Sequence, residues 1–316
     1  MQDGLDRLRG RSRATRLLRE QVRLYADSPA TLLIEGETGS GKEVVARALH
    51  AVGRFRRGPF VGVDCGAIPE SLFESELFGH ARGAFTGASQ QRLGLIASAR
   101  GGTLFFDEIE NLPLGQQRKI LRLLEEREYR PVGGERVCRL DARFVAATNR
   151  NLRAAVEAGE FREDLLYRLE VLRIEVPPLR LRLEDLPDLL EHLAGGDAEF
   201  SLPGRELMAD LRARPWRGNV RELGNIVERA RALVPTVGWG EAWHAAIRGR
   251  RSGGGSVPLG MPLGRAQPKV PRIERLERAL ARNGWHRAAT AAELGISRAT
   301  LWRHMRDLGI RRREAS

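Results

Sequence analysis

Short apolar runs alternate with amphipathic helical patterns over roughly the first half of the chain. Each run is four to seven residues long and mostly apolar, which is typical of parallel strands buried on both faces. The runs occupy residues 31–37, 60–64, 103–107, 144–148 and 173–176, and helical patterns such as residues 43–52 and 116–127 separate them. This alternation predicts a three-layer α/β domain built on a parallel sheet.

The pattern changes near residue 184, where strand signals cease and amphipathic helices such as residues 219–233 take over as far as residue 247. We interpret this stretch as a helical lid. The next segment is rich in Gly and Pro and has no periodicity, which indicates a flexible linker. The predicted domains are an α/β subdomain at residues 1–180, the lid at 181–248, the linker at 249–270 and a small helical domain at 271–316.

The net positive charge of the chain predicts a polyanionic partner. Half of the formal net charge of +12 lies in residues 271–316, where eleven Arg stand against five Asp or Glu. The apolar runs are too short to span a membrane, and no apolar stretch follows the charged N-terminus, so we expect neither a membrane span nor a signal peptide. We expect a cytoplasmic, nucleoid-associated protein in which Cys65 and Cys138 are buried, reduced thiols.

Residues 36–43 read GETGSGKE, which is a phosphate-binding loop. Its glycines leave the backbone free to surround phosphate with N–H groups, and the helix that follows adds its dipole. Lys42 is expected to reach the β- and γ-phosphates, and Glu43 stands where the general motif has Ser or Thr as a magnesium ligand. The predicted nucleotide-binding residues of the loop are Gly36, Glu37, Thr38, Gly39, Ser40, Gly41, Lys42 and Glu43.

Two carboxylates end the apolar run in GGTLFFDEI, residues 101–109. Because the carboxyl ends of parallel strands meet at one edge of a sheet, Asp107 and Glu108 are expected beside the phosphate loop. Asp107 is the candidate Mg²⁺ ligand, and Glu108 is the candidate base that polarises water. The sequence therefore predicts ATP and Mg²⁺ as cofactors, whereas the alternative is a solvated strand end.

The basic tail has a helix-turn-helix pattern. An amphipathic helix is predicted at residues 272–281, and a further helix at 287–294 is followed by a Gly-Ile-Ser turn and a last helix at 298–308. Leu301 and Met305 are expected in the core rather than at a DNA surface. The candidate DNA-contacting residues are Arg287, Ser297, Arg298, Thr300, Arg303 and Arg306.

Between the phosphate loop and the acidic strand end, residues 74–88 read ESELFGHARGAFTGA. This segment resembles the surface loop by which AAA+ activators of sigma-54 RNA polymerase contact the sigma factor. The resemblance extends over residues 8–233, including the GKE sequence at Glu43, and residues 285–310 resemble the Fis-type domain that ends many such activators. It implies an AAA+ P-loop ATPase with a parallel sheet and a helical lid, followed by a small all-α helix-turn-helix domain.

The resemblance also implies roles for residues outside the two ATPase motifs. Asn149 matches the sensor of the γ-phosphate, and Arg221 matches the second sensor, in a motif that usually has Pro where this chain has Arg217. Arg162 and Arg168 match fingers that act on the neighbouring subunit's site. The sigma-54-contacting residues implied are Gly83, Ala84, Phe85, Thr86, Gly87 and Ala88, and residues 130–135 (RPVGGE) resemble the neighbouring hairpin loop.

An aromatic side chain such as Phe85 is costly on a loop tip unless it meets a partner, so Phe85 either contacts sigma-54 or folds back onto its own domain. A second open question concerns Asp64, where the family most often has Asn. An Asn amide there could donate a hydrogen bond to Glu108, whereas an ionised Asp could not. We therefore expect a weakened control of Glu108 or a proton shared between carboxylates, unless Asp64 points elsewhere.

The function that follows is an ATP-hydrolysing activator that binds upstream enhancer DNA and remodels sigma-54 RNA polymerase closed complexes into open ones. A hexamer is implied for the active state and a dimer at rest. Only some 30 residues precede the first strand, so a regulatory partner acting in trans, or control through expression level, is expected in place of a sensory domain. The alternatives are a DNA-binding regulator of ordinary polymerase that retains the fold, and an unrelated AAA+ remodeller.

Overall fold

Five parallel strands form the central sheet in the computed structural model, which describes residues 4–85, 88, 90–195 and 200–248 and the single positions 280, 285, 286 and 290. The sheet has the strand order β2-β5-β8-β1-β9. Its strands are β1 (Leu32–Glu35), β2 (Phe60–Asp64), β5 (Thr103–Asp107), β8 (Arg143–Thr148) and β9 (Leu172–Glu175). All five were predicted from the apolar runs, and no end differs by more than two residues.

Two short antiparallel hairpins lie outside the central sheet. They pair β3 (Gly79–His80) with β4 (Arg92–Leu93) and β6 (Glu128–Tyr129) with β7 (Cys138–Arg139). The helices that connect the strands are α1 (Arg13–Tyr25), α2 (Lys42–Val52), α3 (Glu70–Phe78), α4 (Leu95–Ser98), α5 (Leu114–Glu126), α6 (Leu152–Glu157) and α7 (Glu163–Leu169). The α/β class inferred from the sequence is therefore confirmed.

Alternation along the strands gives the sheet a separate apolar core on each face. On β5, Leu104 and Phe106 pack in the core that includes α3, α5 and α7, and Phe106 stacks on Phe144 with ring centroids 4.7 Å apart. Phe105 faces the opposite core, with Val45 and Leu49 of α2. Helices thus cover both faces, as the uninterrupted apolar runs predict.

The first helix is fixed at both ends by buried polar side chains. Ser12 caps α1, and the fully buried Asp185 accepts hydrogen bonds from Ser12 N (2.6 Å), Ser12 Oγ (2.9 Å) and Thr15 Oγ1 (2.5 Å). At the other end the buried Arg143 guanidinium donates to Tyr25 O and Ala26 O, each at 2.9 Å. Burial lowers the pKa of Arg143 to about 10. The last carbonyl groups of α1 therefore receive a charged cap.

The lid consists of α8 (Leu186–Leu193), α9 (Arg205–Arg212) and α10 (Asn219–Arg248). It has its own core, in which Trp216, Trp239 and Trp243 are buried. The helical pattern predicted over residues 219–233 continues to Arg248, but the backbone is not helical at Gly238 (φ 73°, ψ 169°), so α10 is two helical segments. Pro235 lies just before this break.

Contacts along the chain define two units, Met1–Gly253 and Gly254–Ser316. The boundaries predicted at 180, 248 and 270 stay a prediction. The cysteine prediction was half wrong: Cys65 is buried, but Cys138 lies partly exposed on the short strand β7, and both thiols are free. None of the helices in the described ranges is both long and apolar enough to cross a membrane.

Candidate functional site

The phosphate loop joins β1 to α2 at the carboxyl edge of the sheet. Gly39 and Gly41 have φ of 74° and 105°, a region that favours glycine. The bond from Val45 N to Gly41 O (3.1 Å) belongs to the first turn of α2. The N–H groups of Lys42, Glu43 and Val44 therefore have no acceptor within the helix, which makes this end suited to an anion.

Lys42 lies almost buried inside the loop. Its Nζ donates to Gly36 O (2.8 Å) and Glu37 O (3.3 Å), so the loop itself orients the ammonium group. Burial lowers the pKa of Lys42, while the nearby carboxylate of Asp107 acts in the opposite direction. A phosphate would add the negative charge that this partly desolvated cation lacks.

Asp107 is the last residue of β5, and Glu108 follows it directly. Burial raises the pKa of Asp107, against the opposing effects of a hydrogen bond from Glu108 N (3.0 Å to Oδ1) and of the Lys42 charge. Glu108 adopts φ 54°, which is uncommon for a residue with a side chain. Its Oε2 accepts a hydrogen bond from Asn111 Nδ2 at 2.8 Å.

Asp64 and Asp107 are paired in register at the ends of β2 and β5. Oδ1 of Asp64 accepts from Gly66 N (2.9 Å) and Ala67 N (3.2 Å), so the side chain stabilises the turn that follows its own strand. The amide held against Glu108 comes from Asn111. Sequence reasoning missed Asn111, although its position three residues after Glu108 was a usable signal.

One cavity of about 480 Å³ lies between the phosphate loop, the end of β5 and the lid. Nine of the predicted site residues line it: Thr38, Gly39, Gly41, Lys42, Glu43, Asp107, Glu108, Asn149 and Arg221. Gly36 and Glu37 line an adjacent cavity of about 400 Å³, and Ser40 lines a third of about 550 Å³. Parts of the phosphate loop, the acidic end of β5, Asn149 and Arg221 thus meet at one nucleotide-sized cavity.

Arg162 and Arg168 do not line this cavity. They lie at the N-cap and near the end of α7, where Arg162 pairs with Asp164 (2.6 Å) and Arg168 with Glu125 (3.6 Å). Their side chains are about one third and somewhat more than half exposed, respectively. Within their own chain these guanidinium groups have no part in the nucleotide cavity.

Among the described side chains, His, Cys, Asp and Glu form no group of three or more suited to a metal ion. Mg²⁺ bound with a nucleotide needs only one or two protein carboxylates, because phosphate oxygens and water supply its other ligands. The half-buried carboxylate of Asp107, which faces the same cavity as Lys42, fits this requirement. Glu43 instead forms an ion pair with Arg47 (2.8 Å) on the surface of α2.

The predicted coupling loop begins at the β3–β4 hairpin. Gly83 N donates to Ala88 O (2.8 Å), which closes the loop at its base. Phe85 is 44% exposed, and its ring lies edge-on to His80 with centroids 5.0 Å apart. One edge of Phe85 therefore packs on its own domain while much of the ring faces solvent, and its contact with sigma-54 stays a prediction. Thr86 and Gly87 lie outside the described residues.

The second loop, residues 130–135, packs against the base of the first. Val132 N donates to Gly79 O (2.9 Å), and Val132 O accepts from Ala81 N (3.0 Å). Gly133 approaches Ala84 so closely that a side chain there would lie 2.7 Å from its Cβ. The base of each loop is therefore held by hydrogen bonds and close packing against the other.

Little of the tail is described. Leu280 and Thr290 are buried, and Trp285 N donates to Leu280 O at 2.7 Å. All the predicted DNA-contacting residues lie outside the described part of the chain: Arg287, Ser297, Arg298, Thr300, Arg303 and Arg306.

Three protein families match successive parts of the sequence. The family described as Sigma-54 interaction domain matches residues 8–175, and the AAA+ ATPase lid domain matches residues 180–238. The family described as Bacterial regulatory protein, Fis family, matches residues 273–313.

Individual relatives agree with these matches. The DNA-binding transcriptional regulator NtrC of Bradyrhizobium sp. (strain RP501 Parasponia) is 42% identical, over 95% of this chain and 69% of its own. The C4-dicarboxylate transport transcriptional regulatory protein DctD of Pseudomonas aeruginosa is 52% identical, over 71% of this chain and 49% of its own. A crystal structure of NtrX from Brucella abortus in complex with ATP is 31% identical with a TM-score of 0.68, over 96% of this chain and 69% of that one. The chain thus spans between about half and somewhat over two thirds of the length of these relatives.

Proposed function

The chain belongs to the sigma-54-dependent transcriptional activators, with an AAA+ ATPase domain, a helical lid and a Fis-type helix-turn-helix domain, and we propose that it uses ATP hydrolysis to open promoters. In this proposal the protein binds upstream enhancer DNA and remodels sigma-54 RNA polymerase holoenzyme from closed to open complexes through residues 83–88. The observation that carries it is the partly exposed aromatic side chain of Phe85, on a loop connected by α3 to Asp64, which pairs in register with the cavity residue Asp107.

The segment that connects this strand end to the coupling loop is continuous in the chain. β2 ends beside β5 at Asp64, the turn over residues 64–67 follows, and α3 then leads to Gly79 at the base of the coupling loop. A change in the position of Asp107 or Glu108 can therefore reach Phe85 through the pairing of β5 with β2, the turn over residues 64–67 and α3. This route supports the role of Phe85 and Thr86 as the contacts with sigma-54.

Within the cavity, the loop N–H groups and Lys42 bind the β- and γ-phosphates, and Arg221 approaches them from the lid. Mg²⁺ would be held by Asp107 and would stabilise the negative charge that develops on the phosphates. Glu108 accepts the proton of the attacking water. Asn149, whose N donates to Glu110 Oε1 at 3.2 Å, reports on the γ-phosphate from the end of β8.

We propose that Arg162 and Arg168 complete the site of a neighbouring subunit. Both side chains are partly exposed and neither lines the cavity of its own chain, which supports an action in trans on active sites between the subunits of a hexamer. A dimer at rest, held by the Fis-type domain, and a regulatory protein acting in trans complete the proposal. The setting would be the cytoplasm, at the nucleoid.

The test is promoter opening by the purified protein. With ATP and sigma-54 holoenzyme on a promoter that has upstream binding sites, we expect permanganate-reactive thymines at the start site, and none with a non-hydrolysable ATP analogue. Holoenzyme with the main vegetative sigma factor is the control. Opening with that holoenzyme, or without hydrolysis, would favour the regulator of ordinary polymerase.

A further inference from the structure

Asn219 is a buried polar residue at the junction between the phosphate loop and the lid. It is the first residue of α10, is 0% exposed and has φ 50°. The left-handed region disfavours side chains in general but is tolerated by Asn. Two residues further on, the same helix carries Arg221 into the nucleotide cavity.

Both ends of the Asn219 amide are used. Nδ2 donates to Glu37 Oε2 and to Thr38 O, each at 3.1 Å, and Oδ1 accepts from Leu179 N at 2.8 Å. One amide thus joins the phosphate loop to the segment that leads into the lid. Buried amides with every contact satisfied fix their surroundings strongly, because any shift leaves a polar group unpaired.

The same junction holds four neighbouring contacts. Gly39 O accepts from Val220 N (2.9 Å) and Arg221 N (3.3 Å), so the first turn of α10 lies directly on the loop. Arg180 forms an ion pair with Glu37 at 2.7 Å, and Arg182 donates to Ser40 O at 2.6 Å. Four successive loop residues, 37 to 40, are therefore bonded to the lid side. Hydrogen bonds from Arg180 and then Asn219 lower the pKa of Glu37, which keeps its carboxylate ionised as an acceptor.

We propose that Asn219 is a positioning residue that sets the place of Arg221 over bound nucleotide by fixing the start of α10 to the phosphate loop. The inference rests on the proposed ATPase site. Because Asn219 itself lies outside the cavity lining, it acts through Arg221 and the loop rather than by touching nucleotide. Loop and lid then respond to nucleotide together, and the lid cannot rotate freely while Glu37 and Thr38 are held.

Two substitutions distinguish the role of the Asn219 side chain from that of its left-handed backbone conformation. N219D keeps the φ-tolerant residue type and the acceptor for Leu179 N but loses the donor and places a carboxylate against Glu37. N219G fits the left-handed backbone without strain and removes the whole amide. N219D loses the two donated hydrogen bonds and N219G loses all three. Because these bonds fix the start of the helix that carries Arg221, we expect an affinity loss of about tenfold or more. We expect ATP affinity, measured with a fluorescent ATP analogue, to fall in the order wild type, N219G, N219D.

The decisive measurement is a double-mutant cycle with R221A in the full-length protein. If Asn219 acts through Arg221, the effects on ATP affinity will not add, and R221A will cost less than about twofold further in an N219D background. E37Q in the N219D background should restore part of the affinity, because the amide introduced at position 37 can donate to the new carboxylate. E241Q, on an exposed site of α10, is the matched control and should leave ATP affinity unchanged.

Additive effects of N219G and R221A, or wild-type ATP affinity in both Asn219 variants, would overturn the inference. If N219D does not fold, N219G alone decides between these outcomes. Failure of the proposed function looks different, because the wild-type protein itself would then neither bind nor hydrolyse ATP.

Discussion

At the scale of single residues, the side chain of Glu108, the proposed base, is held by one hydrogen bond. Glu108 Oε2 accepts from Asn111, so an amide competes with water for the proposed base. In N111L we expect kcat for ATP hydrolysis to rise a few-fold with KM for ATP unchanged, because Glu108 acts on water and not on nucleotide binding. Steady-state ATPase assays measure both constants.

D64N is the matched comparison for N111L. It retains the acceptor for the N–H groups of Gly66 and Ala67 and adds an amide donor near Glu108. We expect sigma-54 to stimulate ATPase activity more strongly in D64N than in the wild type, and an identical stimulation ratio would mean that the substitution at position 64 has no regulatory role.

The sequence predicted the residues that line the cavity well where these residues lie at or just after the end of a strand. Lys42, Asp107 and Asn149 meet because parallel strands carry their carboxyl ends to one edge. Asn219 escaped notice because its partner Glu37 is 182 residues away and no local pattern marks the contact. The sequence left open whether the Asp64 side chain faces Glu108. Its hydrogen bonds to Gly66 N and Ala67 N depend on the backbone conformation after β2, which the sequence pattern does not specify.

At the scale of elements, α1 depends on one buried carboxylate. Removing Asp185 in D185A leaves Ser12 N, Ser12 Oγ and Thr15 Oγ1 without their acceptor in a buried position. We expect the free energy of unfolding to fall by about 3 kcal/mol. Urea unfolding followed by circular dichroism measures it.

D188N is the comparison, because the partly exposed ion pair of Asp188 with Arg11 joins α8 to the residues just before α1. Asp188 pairs with Arg11 at 2.8 Å, but the Arg11 side chain is 64% exposed, so its loss should cost less than about 1 kcal/mol. If D185A and D188N lowered the free energy of unfolding equally, the buried carboxylate of Asp185 would stabilise the protein no more than the Arg11–Asp188 ion pair, against this prediction.

A substitution in the coupling loop should affect promoter opening without affecting ATP hydrolysis. T86A is expected to keep ATPase activity close to that of the wild type, because the described residues of the loop, 83–85 and 88, do not line the nucleotide cavity, and to abolish opening of sigma-54 promoters. ATPase assays and permanganate footprinting on the same preparations check the two halves. Normal promoter opening by T86A would remove the loop from the mechanism.

Element boundaries were predictable where composition is unambiguous. The strand predicted at residues 103–107 is Thr103–Asp107, because a run of buried side chains between Gly and acidic residues leaves little choice. The break in α10 at Gly238 was not predicted, since the helical period continues on both sides and the lid core of tryptophans holds both segments in place.

At the scale of the whole molecule, the active sites are proposed to lie between subunits. K42A and R168A should each be inactive alone, and mixed rings should regain some ATP hydrolysis, because some interfaces then combine an intact phosphate loop with an intact finger. Mixing at several ratios, with hexamer formation checked by light scattering, is the measurement. Stable mixed rings without any hydrolysis would count against fingers acting in trans.

The tail is proposed to supply site-specific DNA binding. A protein ending at Arg248 should hydrolyse ATP but lose its preference for enhancer DNA over random DNA. In the full chain, several arginine–phosphate contacts should make affinity fall roughly a thousandfold between about 50 and about 200 mM salt. Equal site-specific affinity with and without residues 271–316 would contradict this assignment.

The tryptophan core of the lid has a consequence for experiment. All five tryptophans of the chain lie at or beyond residue 216, and three of them, Trp216, Trp239 and Trp243, are buried together in the lid. The sheet and its nucleotide loop carry none. Intrinsic fluorescence of a protein ending at Arg248 therefore originates in the lid alone. Its emission gives a label-free signal of how well the lid core stays packed, to which the sheet contributes nothing.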